Sequence, residues 1–291
     1  AEFAETYGIS KVYSDYAQLV ADPDIDIIYI ATPHSFHYSQ AKMCLEAGKH
    51  VLLEKPSTIN TKQLKKLIQL AEQNKVLLQE AIWTRFLPCM NQLKQKLREG
   101  VIGDIQYLNS DIGFAFPMNS EGRMFNSKLA GGALLDLGIY SIAVSQFLFE
   151  DYPEKIQATG QVHELGVDLN TLVNMTYSGG RFSQFSTSCV ATSRNEMSIV
   201  GTTGRVVIQA CFWDTERADI YNLAGEIIES INIPHLVNGF EYQIEESMRC
   251  VEKGKLCSEL VSHQDSIDIM QIMDEVRRQI GLIYPPEIEA L

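Results

Sequence analysis

His50-Val51-Leu52-Leu53-Glu54-Lys55-Pro56 reads as a short buried strand that ends in an acid, a base and a rigid stop. Val51 to Leu53 form an apolar run of the length an interior parallel strand takes, and Gly48 before it suits the left-handed stop of a helix. The two charges then stand at the strand's carboxyl end, which in an open α/β sheet is where ligands lie. Pro56 fixes its own φ and lacks an N–H, so Lys55 is aimed by a stiff corner. An isolated Glu-Lys-Pro is more often a pair of solvated loop charges, and the context on both sides gives this one its weight.

Upstream, Ala1 to Tyr7 reads as the last turns of a helix stopped at Gly8, followed by a short strand at Lys11 to Tyr13. Ser14 or Asp15 caps a helix through Val20, and Asp22-Pro23-Asp24 turns into a strand from Ile25 to Ala31. Thr32-Pro33-His34-Ser35 leaves that strand, with Ser35 placed to cap a helix to about Ala47. Downstream, Asn60 or Thr61 caps a helix through Asn74, and Val76 to Gln79 is a further strand. Strands separated by helices of about ten to fifteen residues make a parallel, doubly wound sheet, here over residues 1–80.

Past Leu87-Pro88 a helix runs to Glu99, and from Asp104 the pattern changes to long alternating strands. Further strands are expected near 155–164, 167–177, 181–190, 194–200, 205–210, 218–222 and 226–231, and turns such as Ser178-Gly179-Gly180 imply antiparallel pairing. Gly131 to Phe149 is a helix apolar around most of its circumference, hence buried between layers. Helices at about 239–253 and 264–280 close the chain, the last with Ile267, Met270, Ile272, Met273 and Val276 on one broad side. The fold class is thus α/β, a Rossmann-like parallel sheet, joined over 81–291 to an α+β domain with a large, mainly antiparallel open sheet. The last helix is free to pack back on the first domain.

With 37 acidic against 24 basic residues the net charge is −13, which disfavours nucleic acid or an anionic membrane as partner. No run approaches 18 uninterrupted apolar residues and the first residues carry no basic, then apolar, leader pattern, so cytoplasm is the default expectation. Six scattered cysteines without a Cys-x-x-Cys pair or nearby histidines read as reduced thiols, and no metal is expected.

Three marks stand at matching places: Ala31-Thr32-Pro33-His34-Ser35-Phe36-His37 at one strand end, Glu54-Lys55-Pro56 at the next, and Gly131-Gly132-Ala133-Leu134-Leu135-Asp136-Leu137-Gly138-Ile139-Tyr140 entering the buried helix. Together they resemble the Gfo/Idh/MocA oxidoreductases, and within that family the dimeric dihydrodiol dehydrogenase branch, over nearly the whole chain. The resemblance implies an NAD- or NADP-dependent dehydrogenase that moves a hydride between a secondary alcohol (a sugar, a polyol or a cyclic trans-diol) and the cofactor. It also implies a homodimer or higher homo-oligomer. By the same resemblance Ala31, Thr32, Pro33, His34, His37, Glu54, Lys55, Pro56, Trp83 and Arg85 line the cofactor. Trp83, Arg123, Trp213 and Phe240 face the substrate. Taken alone, His37 suits a solvated helical turn, Trp83 suits core packing, and Arg123 a salt-bridged surface position.

Asp136 and Tyr140, four residues apart, share a helix face. Tyrosine at position 140 follows the dihydrodiol branch, where most relatives have histidine. The expected catalytic trio is Lys55, Tyr140 and Asp136. Lys55 holds the reacting oxygen and draws the phenol of Tyr140 down from its usual pKa near 10, Tyr140 takes the hydroxyl proton, and Asp136 orients substrate or partner. Redox-assisted glycoside cleavage and a lapsed, cofactor-sensing module are the competing readings. The family's Gly-x-Gly-x-x-Gly is missing, and Gly201-Thr202-Thr203-Gly204, flanked by strands, does not replace it. On the order of 35 residues, one strand-helix-strand unit that would hold the residue selecting NAD or NADP, are therefore missing: the favoured expectation is that they precede this chain in a longer protein, the alternative a natural truncation that cannot grip the adenosine half of the cofactor.

Overall fold

The computed structural model describes residues 2–290. Ala1 and Leu291, which the sequence reading includes in its end segments, lie outside them. The chain opens with α1 (Glu2–Thr6), which stops at Gly8 with φ of 66°, and α2 (Tyr16–Ala21), whose cap Asp15 accepts the Ala17 N–H. Then β1 (Ile27–Ile30), α3 (His34–Glu46), β2 (His50–Glu54), α4 (Thr61–Asn74) and β3 (Leu78–Ala81) alternate. The three strands pair in parallel in the order β1-β2-β3, which leaves Val51 and Leu53 of the middle strand with no exposed surface.

Two local expectations change. Lys11 to Tyr13 forms no strand; the Lys11 ammonium bonds Asp22 (3.0 Å) and Asp24 (2.7 Å), and the Tyr13 hydroxyl also bonds Asp22, so the segment braces the 22–24 turn instead. Ser35 does not cap α3: the helix starts at His34 with Pro33, at φ −60°, as its cap residue, and the Ser35 hydroxyl lies buried inside the first turn.

The second part comprises α5 (Pro88–Arg98), β4 (Ile105–Gly113), α6 (Ile139–Phe149), β5 (Lys155–Val162), β6 (Asp168–Thr176), β7 (Phe182–Ser188), β8 (Met197–Gly201), β9 (Gly204–Ile208), β10 (Arg217–Asn222) and β11 (Ile227–Asn232). It ends with α7 (Glu241–Glu252), α8 (His263–Ile280) and a short α9 (Pro286–Glu289). Its eight strands lie in the order β11-β10-β9-β8-β4-β7-β6-β5, all antiparallel to their neighbours except that β4 runs parallel to β7. One face of this sheet carries the buried helix. Residues 127–149 are long and apolar enough to cross a membrane, but 94% of their apolar 18-residue window is buried inside the fold. α8 packs back on the first sheet's helices: Arg277 donates to the Ile59 carbonyl (2.6 Å), and Asp274 accepts the Thr61 N–H (2.9 Å) at the start of α4.

The entry to the buried helix is wound more widely than an α-helix. Leu134–Gly138 form a π turn before α6 begins. Gly132, at φ 113°, permits it: a Cβ there would stand 2.3 Å from Asp168 Oδ1. Asp168 Oδ2 accepts the Leu134 N–H (2.9 Å) and the Thr171 hydroxyl (2.7 Å). Burial pushes the Asp168 carboxyl up to about 6, these hydrogen bonds notwithstanding. A carboxyl raised on folding favours the protonated fold, so its contribution is complete below about pH 4 and is lost as pH rises through about 6. Over that window the loss amounts to about 3 kcal/mol. Asp168→Asn, neutral throughout, should flatten this decline in a series of unfolding midpoints from pH 4 to pH 7. An undiminished decline would place its source elsewhere.

Candidate active site

The carboxyl ends of β1 and β2 and the π turn before α6 meet at a cleft of about 260 Å³, lined by Ala31, Thr32, Pro33, His34, Glu54, Lys55, Arg123, Leu129 and Asp136. Parallel pairing sets β1 and β2 so that both strand ends open on the same side. His37 joins the two corners from behind. Its ring nitrogens face the carbonyls of Pro56 (2.8 Å) and Thr32 (2.7 Å), and it has no exposed surface. His37 therefore does not line the cleft, and neither does Pro56, which is buried with its carbonyl held by that ring. Burial holds the His37 pKa below the ordinary value.

Charge is concentrated at Asp136. Its carboxylate accepts two bonds from Arg123 (2.8 and 3.1 Å) and lies 3.3 Å from the Lys55 ammonium, which also donates to the Asp136 carbonyl at 2.6 Å. Burial pushes the Asp136 carboxyl up, but Lys55 and Arg123 more than reverse it and hold the group ionised, well below the usual range. For Lys55 burial opposes the charge, and the carboxylates of Asp136 and Glu54 outweigh it, so the ammonium is retained above its ordinary pKa. His34, which lines the wall, sits with Nδ1 2.9 Å from the Ala130 carbonyl and Nε2 3.8 Å from Asp136; burial brings its pKa down to about 3, so the ring is neutral.

The Lys55 ammonium stands over the Tyr140 ring, 4.7 Å from its centre. Asp136 in the π turn and Tyr140 in the first turn of α6 thus both face Lys55. The expected fall in the phenol's pKa does not occur. Burial raises it, Glu54 adds to the rise, and Lys55 opposes without offsetting, so Tyr140 keeps its proton. The Trp83 indole N–H donates to the Tyr140 oxygen (3.2 Å), which leaves the phenol's own proton free to point at a ligand. Trp83 stacks on Phe240 (4.3 Å) and Tyr140 on Trp213 (5.9 Å), with Phe114 edge-on to Trp213 (5.8 Å). These rings form an aromatic wall beside the charged cleft.

Arg85 lies elsewhere. Its guanidinium, 1% exposed, donates to the Ala143 carbonyl and to Gln146 on α6 and faces Asp265 at 3.3 Å. It forms part of a larger cleft, about 880 Å³, bounded by α5, the end of α6 and the start of α8. There Lys94 and Arg98 pair with Glu150, so the cations of that cleft are already matched. Arg85, the last residue of the Trp83–Arg85 turn, is an internal brace for α6 and does not line the Lys55 cleft. Tyr29, absent from the sequence reading, bonds Glu54 through its hydroxyl. The signal was present: Tyr29 pairs with Leu52, and Glu54 is two residues further on the same face.

The donor set fits a nicotinamide cofactor. Thr32, Pro33, Glu54 and Lys55 lie together at the strand ends, where such a group would be held by its reactive end, and Asp136 keeps Lys55 charged. Residues 1–82 match the model of the oxidoreductase family with an NAD-binding Rossmann fold, and residues 90–207 match the GFO/IDH/MocA C-terminal domain. The trans-1,2-dihydrobenzene-1,2-diol dehydrogenase of Danio rerio is 35% identical over 97% of this chain and 86% of its own length. The chain belongs to the Gfo/Idh/MocA oxidoreductases. The corresponding enzyme of Mus musculus is 35% identical over 98% of the chain and 86% of its own length. Two solved structures share the fold. An aldose-aldose oxidoreductase from Caulobacter crescentus superposes with a TM-score of 0.85 at 22% identity, covering 96% of this chain and 85% of that one. A 3-ketoreductase from Actinomadura kijaniata, solved with NADP, gives 0.84 at 24% over the same shares. This Gfo/Idh/MocA protein is an NAD(P)-dependent oxidoreductase acting on CH–OH groups.

Proposed function

We propose that this enzyme interconverts a cyclic vicinal diol, or a ring-bearing secondary alcohol of similar shape, and its ketone. The observation that carries the reading is the Lys55 ammonium set over Tyr140 beside a wall of aromatic rings. The nicotinamide ring supplies or accepts the hydride when bound. In the direction of reduction, the Tyr140 phenol donates its proton to the carbonyl oxygen while the Lys55 ammonium stabilises the negative charge developing there. Asp136 orients Lys55 and keeps it protonated. Arg123, bonded to Asp136 and half-exposed, stands at the rim where a substrate hydroxyl enters. In the oxidative direction Tyr140 must first lose its proton, so oxidation accelerates with rising pH. The names of the dihydrodiol dehydrogenase relatives support this substrate class.

We further propose that the protein is a cytoplasmic homodimer or higher homo-oligomer without nucleic-acid or membrane partners. Stacked Tyr107 and Phe182 on the sheet's open face, with half-exposed Leu172 further along the same face, support joining through that face. Cofactor reduction measured with a panel of cyclic diols, sugars and polyols, in a protein shown to bind NAD(P), tests the assignment. NAD(P)H accumulation with a cyclic diol is the expected result. Sugar release without net reduction would indicate glycoside cleavage instead, and binding without either reaction a lapsed sensor.

A further inference from the structure

The aromatic wall is assembled from separate pieces of chain. Trp213 sits on the Phe212–Asp214 turn, Trp83 follows β3, and Phe240 ends the loop that begins after β11. At the tip of that loop Leu236 and Val237 are 76% and 79% exposed, so its position depends on its feet. One foot is His235. Its Nε2 lies 2.7 Å from Asp214 Oδ1, one residue past Trp213. Its Nδ1 is buried without a partner among the described residues, and Nε2 is the ring nitrogen that faces Asp214. The backbone is tied alongside: His235 N–H donates to Glu216 (2.5 Å), and the Glu241 carboxylate accepts the N–H groups of Val237 (2.8 Å) and Asn238 (3.2 Å).

Gly239 shows what the imidazole presses against. At φ 88°, a Cβ on Gly239 would stand 2.9 Å from Trp83 Cζ3 and 3.1 Å from His235 Nε2. The bare glycine is thus gripped between the indole and the imidazole, and the next residue, Phe240, lies flat on the same indole. That indole in turn donates to the Tyr140 hydroxyl.

We propose that His235, held by Asp214, is a positioning residue for substrate recognition: it sets the 233–240 loop so that Phe240 and Trp83 close the ring-binding side of the site. The inference rests on the ring-bearing alcohol reading above. Losing the imidazole frees Gly239 and Phe240 while Tyr140, buried on α6, stays in place, so the main effect falls on substrate affinity.

The chain holds only two tryptophans, Trp83 and Trp213, and both belong to this wall, so intrinsic emission reports on it directly. The test compares His235→Ala, His235→Gln and Asp214→Asn in the full chain, by tryptophan emission, by its change on adding cyclohexane-1,2-diol with NADP present, and by steady-state kinetics. His235→Ala is expected to shift the emission and raise KM for the diol about tenfold, with kcat within about threefold of the parent. The Gln variant, whose amide can donate to Asp214, should recover most of both. Parental emission and KM in His235→Ala would overturn the proposal. So would a loss that the Gln variant fails to recover and that tracks a lowered unfolding midpoint, since that is the signature of a merely structural residue. If the parent turns over neither diol nor ketone, the functional reading fails, while the emission of His235→Ala still decides whether the pair sets the wall.

Discussion

Lys55→Met is expected to lower turnover about 10²- to 10³-fold, the cost typical of removing one preorganised donor from a developing oxyanion. Methionine keeps the length and apolar stem of lysine but removes the ammonium that stands 4.7 Å from the centre of the Tyr140 ring. The fold should survive, because Asp136 retains its two bonds from Arg123 and so is not left as a bare buried charge. Lys55→Arg should recover little. A planar guanidinium cannot reproduce a point charge that donates at once to the Asp136 carbonyl and toward the substrate oxygen. Turnover and cofactor affinity measured separately decide the matter. A Lys55→Met enzyme with parental kcat would remove the ammonium from the chemistry.

Tyr140→Phe should lower turnover about 10²- to 10⁴-fold, the range for loss of a positioned acid or base. The ring remains, and with it the stack on Trp213 and the seat for the Lys55 charge. Only the hydroxyl goes, leaving the Trp83 N–H without its acceptor. Because burial raises the phenol's pKa above its ordinary value, the parent's oxidation rate should still be climbing in the alkaline range, with reduction favoured at neutral pH. The climb should disappear in Tyr140→Phe. A variant that keeps the parental alkaline rise would assign that proton to another group.

Much of this architecture was legible because simple periodicities carried it. The apolar run Val51 to Leu53 is a middle strand flanked on both sides, and the alternating segments after Asp104 became the strands of one sheet. The meeting of Lys55, Asp136 and Tyr140 followed from where their elements end. What stayed hidden depends on contacts between distant pieces of chain. Nothing in Gly131-Gly132 announces that Asp168 will cap a π turn there, since that needs β6 to pass alongside. Arg85 and His37 have the residue types of ligand-binding groups, and only the packing of α6 and of the two strand-end corners shows that their polar atoms are consumed internally. The Tyr140 phenol differs from expectation for a related reason: the sequence shows the neighbouring ammonium but not the burial that outweighs it.

The parallel pairing of β4 with β7 has a consequence for the order in which the molecule can be built. β4 also borders β8, so both neighbours of this central strand are made long after it. During synthesis Leu108 and Ile112, each 1% exposed in the finished protein, have no neighbouring strand to join until β7 (Phe182–Ser188) has been made. The first three-stranded sheet can zip up as it emerges, whereas the second must wait, its middle strand held open to chaperones or to wrong partners.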